Sequence, residues 1–282
     1  MNPYQIQVVI PVYNGEATLA RCLDSLLAQT FLQWQALVVD DASLDRTEDI
    51  LREYAAKDNR FRCFRAERNC GAAGARNLAL SVADAPYLAF LDADDVWEPT
   101  MLEVLCRCAK QWKADVVQCQ YLYELPGGAR VYPKGAFPRN TLLERKQLRK
   151  VYRRMMTGIN MNHVCMKLIS RPCLEGMRFR EDLQTAEDLD FCVRMFQRVR
   201  RYYFTTDKLY HYCRNTGSLT GGGLSFRQKL HANQEVSKTL AAALPGWGID
   251  RPWYRLLAWG RPYLIMVSKT VRVIREKIVG NK

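Results

Sequence analysis

Up to residue 95 the chain alternates between short β-branched apolar runs and stretches of helical periodicity, and few folds accept that pattern. The runs at 6–12 (Ile-Gln-Val-Val-Ile-Pro-Val), 34–39, 61–64 and 87–91 have strand length. Their near-continuous apolar character suits strands covered on both faces. Between them, apolar residues at 19, 20, 23, 26 and 27 follow helical spacing over 17–29. A second helix is expected to about residue 56 with Ser43 or Asp45 as its cap, and a small Ala-rich helix over 72–82 carries Arg76 and Asn77. Four such alternations predict an α/β fold, a doubly wound and mostly parallel sheet flanked by helices. The carboxyl ends of its strands then share one edge, where open α/β sheets hold their ligands.

That edge is where acids collect. The fourth run ends in Asp92-Ala93-Asp94-Asp95, the second in Asp40-Asp41, and the first in the turn Tyr13-Asn14-Gly15. Carboxylates this close repel each other, and a hard divalent cation is the usual relief. Asp92 and Asp94 lie two apart, so both point to one side if the backbone stays extended. A ring that can stack on a base, a carboxylate that can accept a ring N–H and a metal that can bridge a diphosphate are the parts of a nucleotide-diphosphate pocket. No Gly-x-Gly-x-x-Gly or Gly-x-x-x-x-Gly-Lys-Ser/Thr loop is present, so phosphate charge falls to the metal.

The bulk properties fit one α/β domain with an appendage. The chain has 282 residues, 48% of them hydrophobic, and a formal charge of +13 that points to an anionic partner. Its ten cysteines include one close pair, Cys106 and Cys108, and no zinc spacing, so they read as reduced thiols of a cytosolic protein. Residues 1–4 lack a basic n-region, the following apolar run breaks at Pro11, and no run approaches about 20 apolar residues.

Four motifs sit in register: Val8-Val9-Ile10-Pro11-Val12-Tyr13-Asn14, Val38-Val39-Asp40-Asp41-Ala42-Ser43, Asn69-Cys70-Gly71 through Ala75-Arg76-Asn77, and Phe90-Leu91-Asp92-Ala93-Asp94-Asp95. Together they resemble the nucleotide-sugar half of family 2 glycosyltransferases, inverting enzymes of the GT-A fold. The resemblance is close over 5–100 and weaker to about 220. It implies that Tyr13 stacks on the base, Asp41 accepts its ring N–H, and Pro11 shapes the floor. Arg76 would lie near the base or diphosphate. Asp92 would hold the ribose or support the metal, and Asp94 would bind Mg²⁺ or Mn²⁺. Asp40 and Asp95 are expected to brace their turns.

The second half is expected to take the acceptor. Residues 97–112 read as a helix with Pro99 in its first turn, 114–121 as a strand, 124–138 as a loop or hairpin, and 161–169 as a strand. A basic helix is expected over 142–156, its Arg/Lys run a solvated face. Helical periodicity over 187–199, with Thr185 as cap, places Glu187-Asp188 in a first turn, where N–H groups favour carboxylates. The resemblance makes Asp188 the general base, with Asp182 and Asp190 as rivals. Residues 201–204 and 209–213 read as paired strands, followed by a loop in which His211, Arg214 and Ser218 would serve as lid residues and His211 as a candidate metal ligand. Gly221-Gly222-Gly223 suits a hinge.

From 251 onward eight basic residues stand against the single acid Glu276, interleaved with aromatic and aliphatic side chains. That composition reads as an interfacial helix pair for an anionic membrane surface. The expected division is a GT-A domain over 1–220 (nucleotide-sugar half 1–112, acceptor half 113–220) and a basic, amphipathic helical region over 221–282. The expected function is transfer from a nucleotide-diphosphate sugar, a UDP-sugar first, to a glycan or lipid-linked acceptor in cell-surface polysaccharide synthesis. The protein would be cytoplasmic and peripheral on the inner face of the membrane, with no nucleic-acid partner. A nucleotidyltransferase, or a basic module binding membrane or nucleic acid without catalysis, is the alternative.

Overall fold

The β-branched runs do form strands, and their pairing explains why the acids meet. The computed structural model describes residues 3–157, 161–213 and 225–260. In chain order β1 (Ile6–Val12), α1 (Leu19–Leu27), β2 (Trp34–Asp40), α2 (Thr47–Lys57), β3 (Phe61–Arg65), α3 (Gly71–Val82) and β4 (Tyr87–Phe90) come first. Then follow β5 (Val96–Trp97), α4 (Met101–Trp112), β6 (Val116–Glu124), β7 (Arg130–Val131), β8 (Thr141–Glu144), α5 (Arg149–Thr157), β9 (Lys167–Ser170), α6 (Glu187–Phe196), β10 (Arg201–Cys213) and α7 (Phe226–Ala243). One ten-stranded sheet runs β3-β2-β1-β4-β9-β6-β10-β5, with β7 added to β6 and β8 to β10. Neighbours are parallel from β3 to β4 and again between β6 and β10, while β9 runs antiparallel to both of its neighbours.

Strand order reverses at β1, and this places the site. β2 follows β1 as far as Val12↔Asp40, whereas β4 leaves it after Val9↔Phe90, so a crevice opens between the ends of β1 and β4. Ligands of open α/β sheets lie at such a switch point. The Val9 carbonyl accepts the Leu91 N–H on the β4 side. By strand alternation the absent N–H of Pro11 faces the same way, past the last β4 pair, where no ladder bond is lost. A proline in a central strand is tolerated here because the crevice begins beside it.

Several expected elements are redrawn by long-range pairing. The helix expected over 97–112 begins only at Met101, because Trp97 is buried and pairs with Tyr210 of β10. The basic helix expected from 142 starts as β8, which pairs with β10, and becomes helical as α5. The strand expected over 161–169 shrinks to β9, leaving 161–166 as a turn. The two strands expected at 201–204 and 209–213 are one strand, β10, with register shifts against β6 between Phe204 and Tyr210. The 124–138 segment is a hairpin in which β7 folds back on β6.

α7 packs on α6, where Thr239 Oγ1 donates to Asp190 Oδ1 at 2.7 Å, and its Ala232, Val236 and Leu240 join the main core. Behind it Trp247 stacks on Tyr152 of α5, with ring centroids 4.1 Å apart and planes 6° from parallel. Residues 252–260 are helical. The boundary expected near 220, Arg214, Ser218, the triple glycine and residues 261–282 lie outside the described residues. Because Trp247 is buried against Tyr152, Trp247→Ala is expected to cost about 3–5 kcal/mol. A lowered denaturant midpoint with an unchanged slope would register this loss.

Candidate active site

On the first side of the crevice, the loops after β1 and β2 are stitched together. Asn14 and Ala42 adopt left-handed backbone (φ 50° and 59°), which an alanine enters only at a cost of about 1–2 kcal/mol. The Asn14 N–H donates to Ser43 Oγ, the Leu44 N–H to Asn14 Oδ1, and the Gly15 N–H to Thr47 Oγ1. Tyr13 is thereby fixed at its backbone, while the residue is 37% exposed and its ring meets no other ring among the described residues. Asp40 is buried, pairs with Arg65 and accepts the Ser43 N–H at 2.9 Å, so it braces the turn.

Asp41 has an internal duty that the sequence did not disclose. Its buried carboxylate accepts the N–H groups of Cys70 and Gly71, each at 2.8 Å, and so caps the start of α3 as an anion. Gly71 reaches that position at φ 74°, where a side chain would be strained. A carboxylate has about four lone-pair positions, so a base N–H can still be received.

α3 carries the residue that joins the two sides. Arg76, 4% exposed, pairs through Nη2 with Asp92 Oδ1 at 2.8 Å and through Nη1 with Glu187 Oε1 and Asp188 Oδ1, each at 3.1 Å. Burial works against its charge, and Asp188 and Asp92 outweigh that and hold it protonated. Its guanidinium lies 5.3 Å from the centre of the Phe179 ring, which stacks on Phe191 of α6. The neighbouring Asn77 donates to the Phe179 carbonyl and to Glu181 Oε1, and accepts the Phe179 N–H. Arg76 therefore lies between carboxylates of the two halves.

The three acids after β4 differ in environment. Asp95 is buried, accepting from the Tyr210 hydroxyl and the Cys213 N–H, and ties the loop to β10. Burial, Asp92 and Asp94 push its pKa up. Asp92 bonds Arg76 and lies 3.4 Å from the Cys165 thiol. Asp94 has no ion pair or side-chain hydrogen bond among the described residues; Arg21 reaches only its backbone carbonyl, at 3.2 Å. Burial, then Asp92, raises its pKa to about 6. A partly buried carboxylate beside another, with no ion-pair partner among the described residues, suits a divalent metal. Among the described residues no three acidic, histidine or cysteine side chains converge as a metal cage, so a cation at Asp94 would draw further oxygens from a ligand or water.

Across the crevice, Ala186 in left-handed backbone (φ 64°), not the expected Thr185, precedes α6, and no side chain caps it. The carboxylates of Glu187 and Asp188 take up that first turn. Burial, then Asp188, raises the pKa of Glu187 against the pull of Arg76. Asp188 Oδ2 receives the Val164 N–H at 3.2 Å, while the buried Oδ1 is near Arg76 but aligned with no donor. The rivals are engaged elsewhere: Asp190 is fully buried against Arg194 and Thr239, and Asp182 is exposed and paired with Arg180.

The turn at 161–166, which sequence reasoning took for strand, touches both carboxylate groups through Val164 and Cys165 and exposes His163. Lys167, fully buried with its pKa lowered by that burial, donates to the His163 carbonyl and fixes the turn. A lone lysine within Met166-Lys167-Leu168-Ile169 was the available signal. His211 is held at both ring nitrogens, Nε2 by Glu98 at 2.7 Å and Nδ1 by Glu124 at 3.1 Å. Ligation of a metal would require breaking one of these contacts.

Comparison with known proteins places this geometry. The sequence profile of the family described as Glycosyl transferase family 2 matches residues 7–177. The Bacillus subtilis protein described as uncharacterized glycosyltransferase EpsJ is 30% identical over 217 residues, covering 76% of this chain and 62% of EpsJ. The chain thus spans less than two thirds of that relative. An Escherichia coli protein described as UDP-Glc:alpha-D-GlcNAc-diphosphoundecaprenol beta-1,3-glucosyltransferase WfgD is 40% identical over 104 residues, 37% of this chain and 40% of its own length. Among solved structures, S. aureus TarS 1–349 in complex with UDP-GlcNAc superposes with a TM-score of 0.72 at 23% identity, over 85% of this chain and 66% of that one. A likeness at that identity speaks for the fold.

Removing the bridging cation leaves three carboxylates without their partner. Arg76→Met is expected to lower stability by about 3–5 kcal/mol at neutral pH. Glu187, already raised by burial and Asp188, would rise further, so the folded variant binds more protons than its unfolded state. Its stability then falls as pH rises and recovers as pH drops through the raised value. Melting temperatures of the variant and the unsubstituted protein, measured from acid to neutral pH, should diverge upward in pH.

Proposed function

The chain belongs to glycosyl transferase family 2, and from that premise we propose that it is a metal-dependent inverting glycosyltransferase. It would move a sugar from a nucleotide-diphosphate sugar, UDP-sugar first, to a glycan or lipid-linked acceptor in cell-surface polysaccharide synthesis. One observation carries the reading: Arg76 brings Asp92, at the end of a donor-half strand, into one charged cluster with Asp188. In support, WfgD is named for a UDP-Glc donor and a diphosphoundecaprenol-linked acceptor, and TarS was solved with UDP-GlcNAc.

Each residue then has a task. Tyr13 stacks on the base, Asp41 accepts its ring N–H beside the two backbone donors it already holds, and Pro11 forms the floor. The Asp188 carboxylate takes the proton of the acceptor hydroxyl while that oxygen attacks the anomeric carbon. The bond from that carbon to the diphosphate oxygen breaks on the opposite face, so configuration inverts in one displacement. Arg76 pairs with Asp188 and orients it, and Asp92 supports ribose or metal. Mg²⁺ or Mn²⁺ at Asp94 would supply charge neutralisation for the departing diphosphate. The protein would work from the cytoplasm, peripheral on the inner membrane face, as a catalytic domain over 1–220 followed by a region over 221–282 whose α7 packs on that domain and whose later part would meet the membrane. Nucleic acid has no part in it.

Asp94→Ala and Asp188→Asn are expected to fold with melting temperatures near that of the unsubstituted protein and to lose sugar transfer by roughly 10²–10⁴-fold. Near-normal turnover in either variant would remove that residue from its role. A thermal-shift screen of UDP-, GDP- and dTDP-sugars, with and without Mn²⁺, should give a metal-dependent stabilisation by a UDP-sugar. Stabilisation by none of the three would count against the donor reading.

A further inference from the structure

The helix at 252–260 is built the wrong way round for a helix facing water. It packs inward through Ala258, with Tyr254 and Leu257 half-buried, and turns Trp253 (61% exposed), Leu256 (69%) and Trp259 (52%) outward. These three recur at every third position and so share the face opposite the packed one. The helix is not loosely hung. Arg153 of α5 lies over the Tyr254 ring at 5.4 Å, and the stack of Trp247 on Tyr152 fixes the preceding segment to the same helix.

α5 brings charge to this apolar row. Lys146, just ahead of α5, and Arg149, Lys150 and Arg153 within it are all exposed and fall three or four positions apart, on one face. Lys146, Arg149 and Lys150 have no carboxylate partner among the described residues. Arg251 stands exposed at the start of the second helix. An outward row of tryptophan and leucine beside a helix of exposed cations is matched to the boundary of an anionic bilayer, where indole rings settle at headgroup level and Lys and Arg meet lipid phosphates. A second copy of the chain fits less well, because a two-fold contact would set cations against cations. No described helix is long and apolar enough to cross a membrane.

We propose that the composite face of α5 and residues 252–260 lies flat on an anionic phospholipid surface. The charges of α5, which the sequence suggested were merely solvated, become half of the contact. The inference deepens the proposed function and rests on it for its purpose, bringing the crevice to an acceptor carried by lipid.

Vesicle flotation of the full chain tests this, using phosphatidylcholine alone or mixed with phosphatidylglycerol. Binding is expected only to the mixed vesicles, weakening with salt. The triple variants W253S/L256S/W259S and K146E/R149E/K150E should each bind at least about tenfold more weakly, since each basic residue contributes about fivefold. Both should keep the thermal shift given by UDP with Mn²⁺. Loss of vesicle binding with that shift intact concerns this surface, and absence of the shift with vesicle binding intact concerns the proposed function. Against misfolded variants, quenching of tryptophan fluorescence by brominated phosphatidylglycerol is read in the unsubstituted protein, and W253F/W259F should abolish it. The proposal is overturned by an unsubstituted protein that does not float, by equal binding to neutral vesicles, or by triple variants that float normally. It is equally overturned by quenching that survives W253F/W259F, or by a triple variant that converts a dimer to a monomer.

Discussion

Arg76 is the interaction on which the arrangement of the crevice depends. It comes from α3, a helix of the first half, yet two of its three acidic partners stand at the start of α6, more than a hundred residues further on. Desolvating a guanidinium and three carboxylates costs several kcal/mol per ion, and the mutual attraction repays it only where geometry is good. Here the geometry is incomplete. Arg76 Nε is buried without a partner, and Asp188 Oδ1 is near Nη1 without being aligned to it. A cluster selected for stability alone would have closed both gaps, and buried unpaired polar atoms in a native protein call for an account. The two gaps leave Arg76 holding Asp188 by charge rather than by a directed hydrogen bond.

The neighbours of Arg76 show how much structure is spent on holding it. Asn77 binds the 179–181 segment through three hydrogen bonds, and Phe179, so fixed, presents its ring to the guanidinium and stacks on Phe191 of α6. From the far side Lys167 fixes the turn whose Val164 N–H meets Asp188. The carboxylate is thus set by three separate elements.

How much of this the sequence disclosed follows from the range of each interaction. β1, β2 and β4 were legible because their apolar runs and turn residues are local, and so were the acids that end two of them. Asp95 as a brace and Asp188 at a helix start were legible for the same reason. Trp97, read as helix, becomes strand only because β10 pairs with it. The turn at 161–166 contains apolar residues because it is buried, not because it is extended, and periodicity cannot separate those cases. Arg76 was expected at the base or diphosphate, and the three carboxylates it also pairs with could not be found from spacing. Asp41 has a second, internal role because Gly71 and Cys70 come back to it across 30 residues.

Charge balance across the crevice bears on how a donor could enter. The protein carries +13 overall, yet Asp92, Asp94, Asp95, Glu187 and Asp188 surround the site, and Arg76 is already committed to three of them. A diphosphate approaching Asp94 alone would meet repulsion from a partly buried carboxylate that has no ion-pair partner among the described residues. A cation alone would find one free carboxylate and few further ligands. Each lacks what the other brings. On the proposed reading the two bind as a linked pair, and by reciprocity the factor by which metal raises donor affinity is the factor by which donor raises metal affinity.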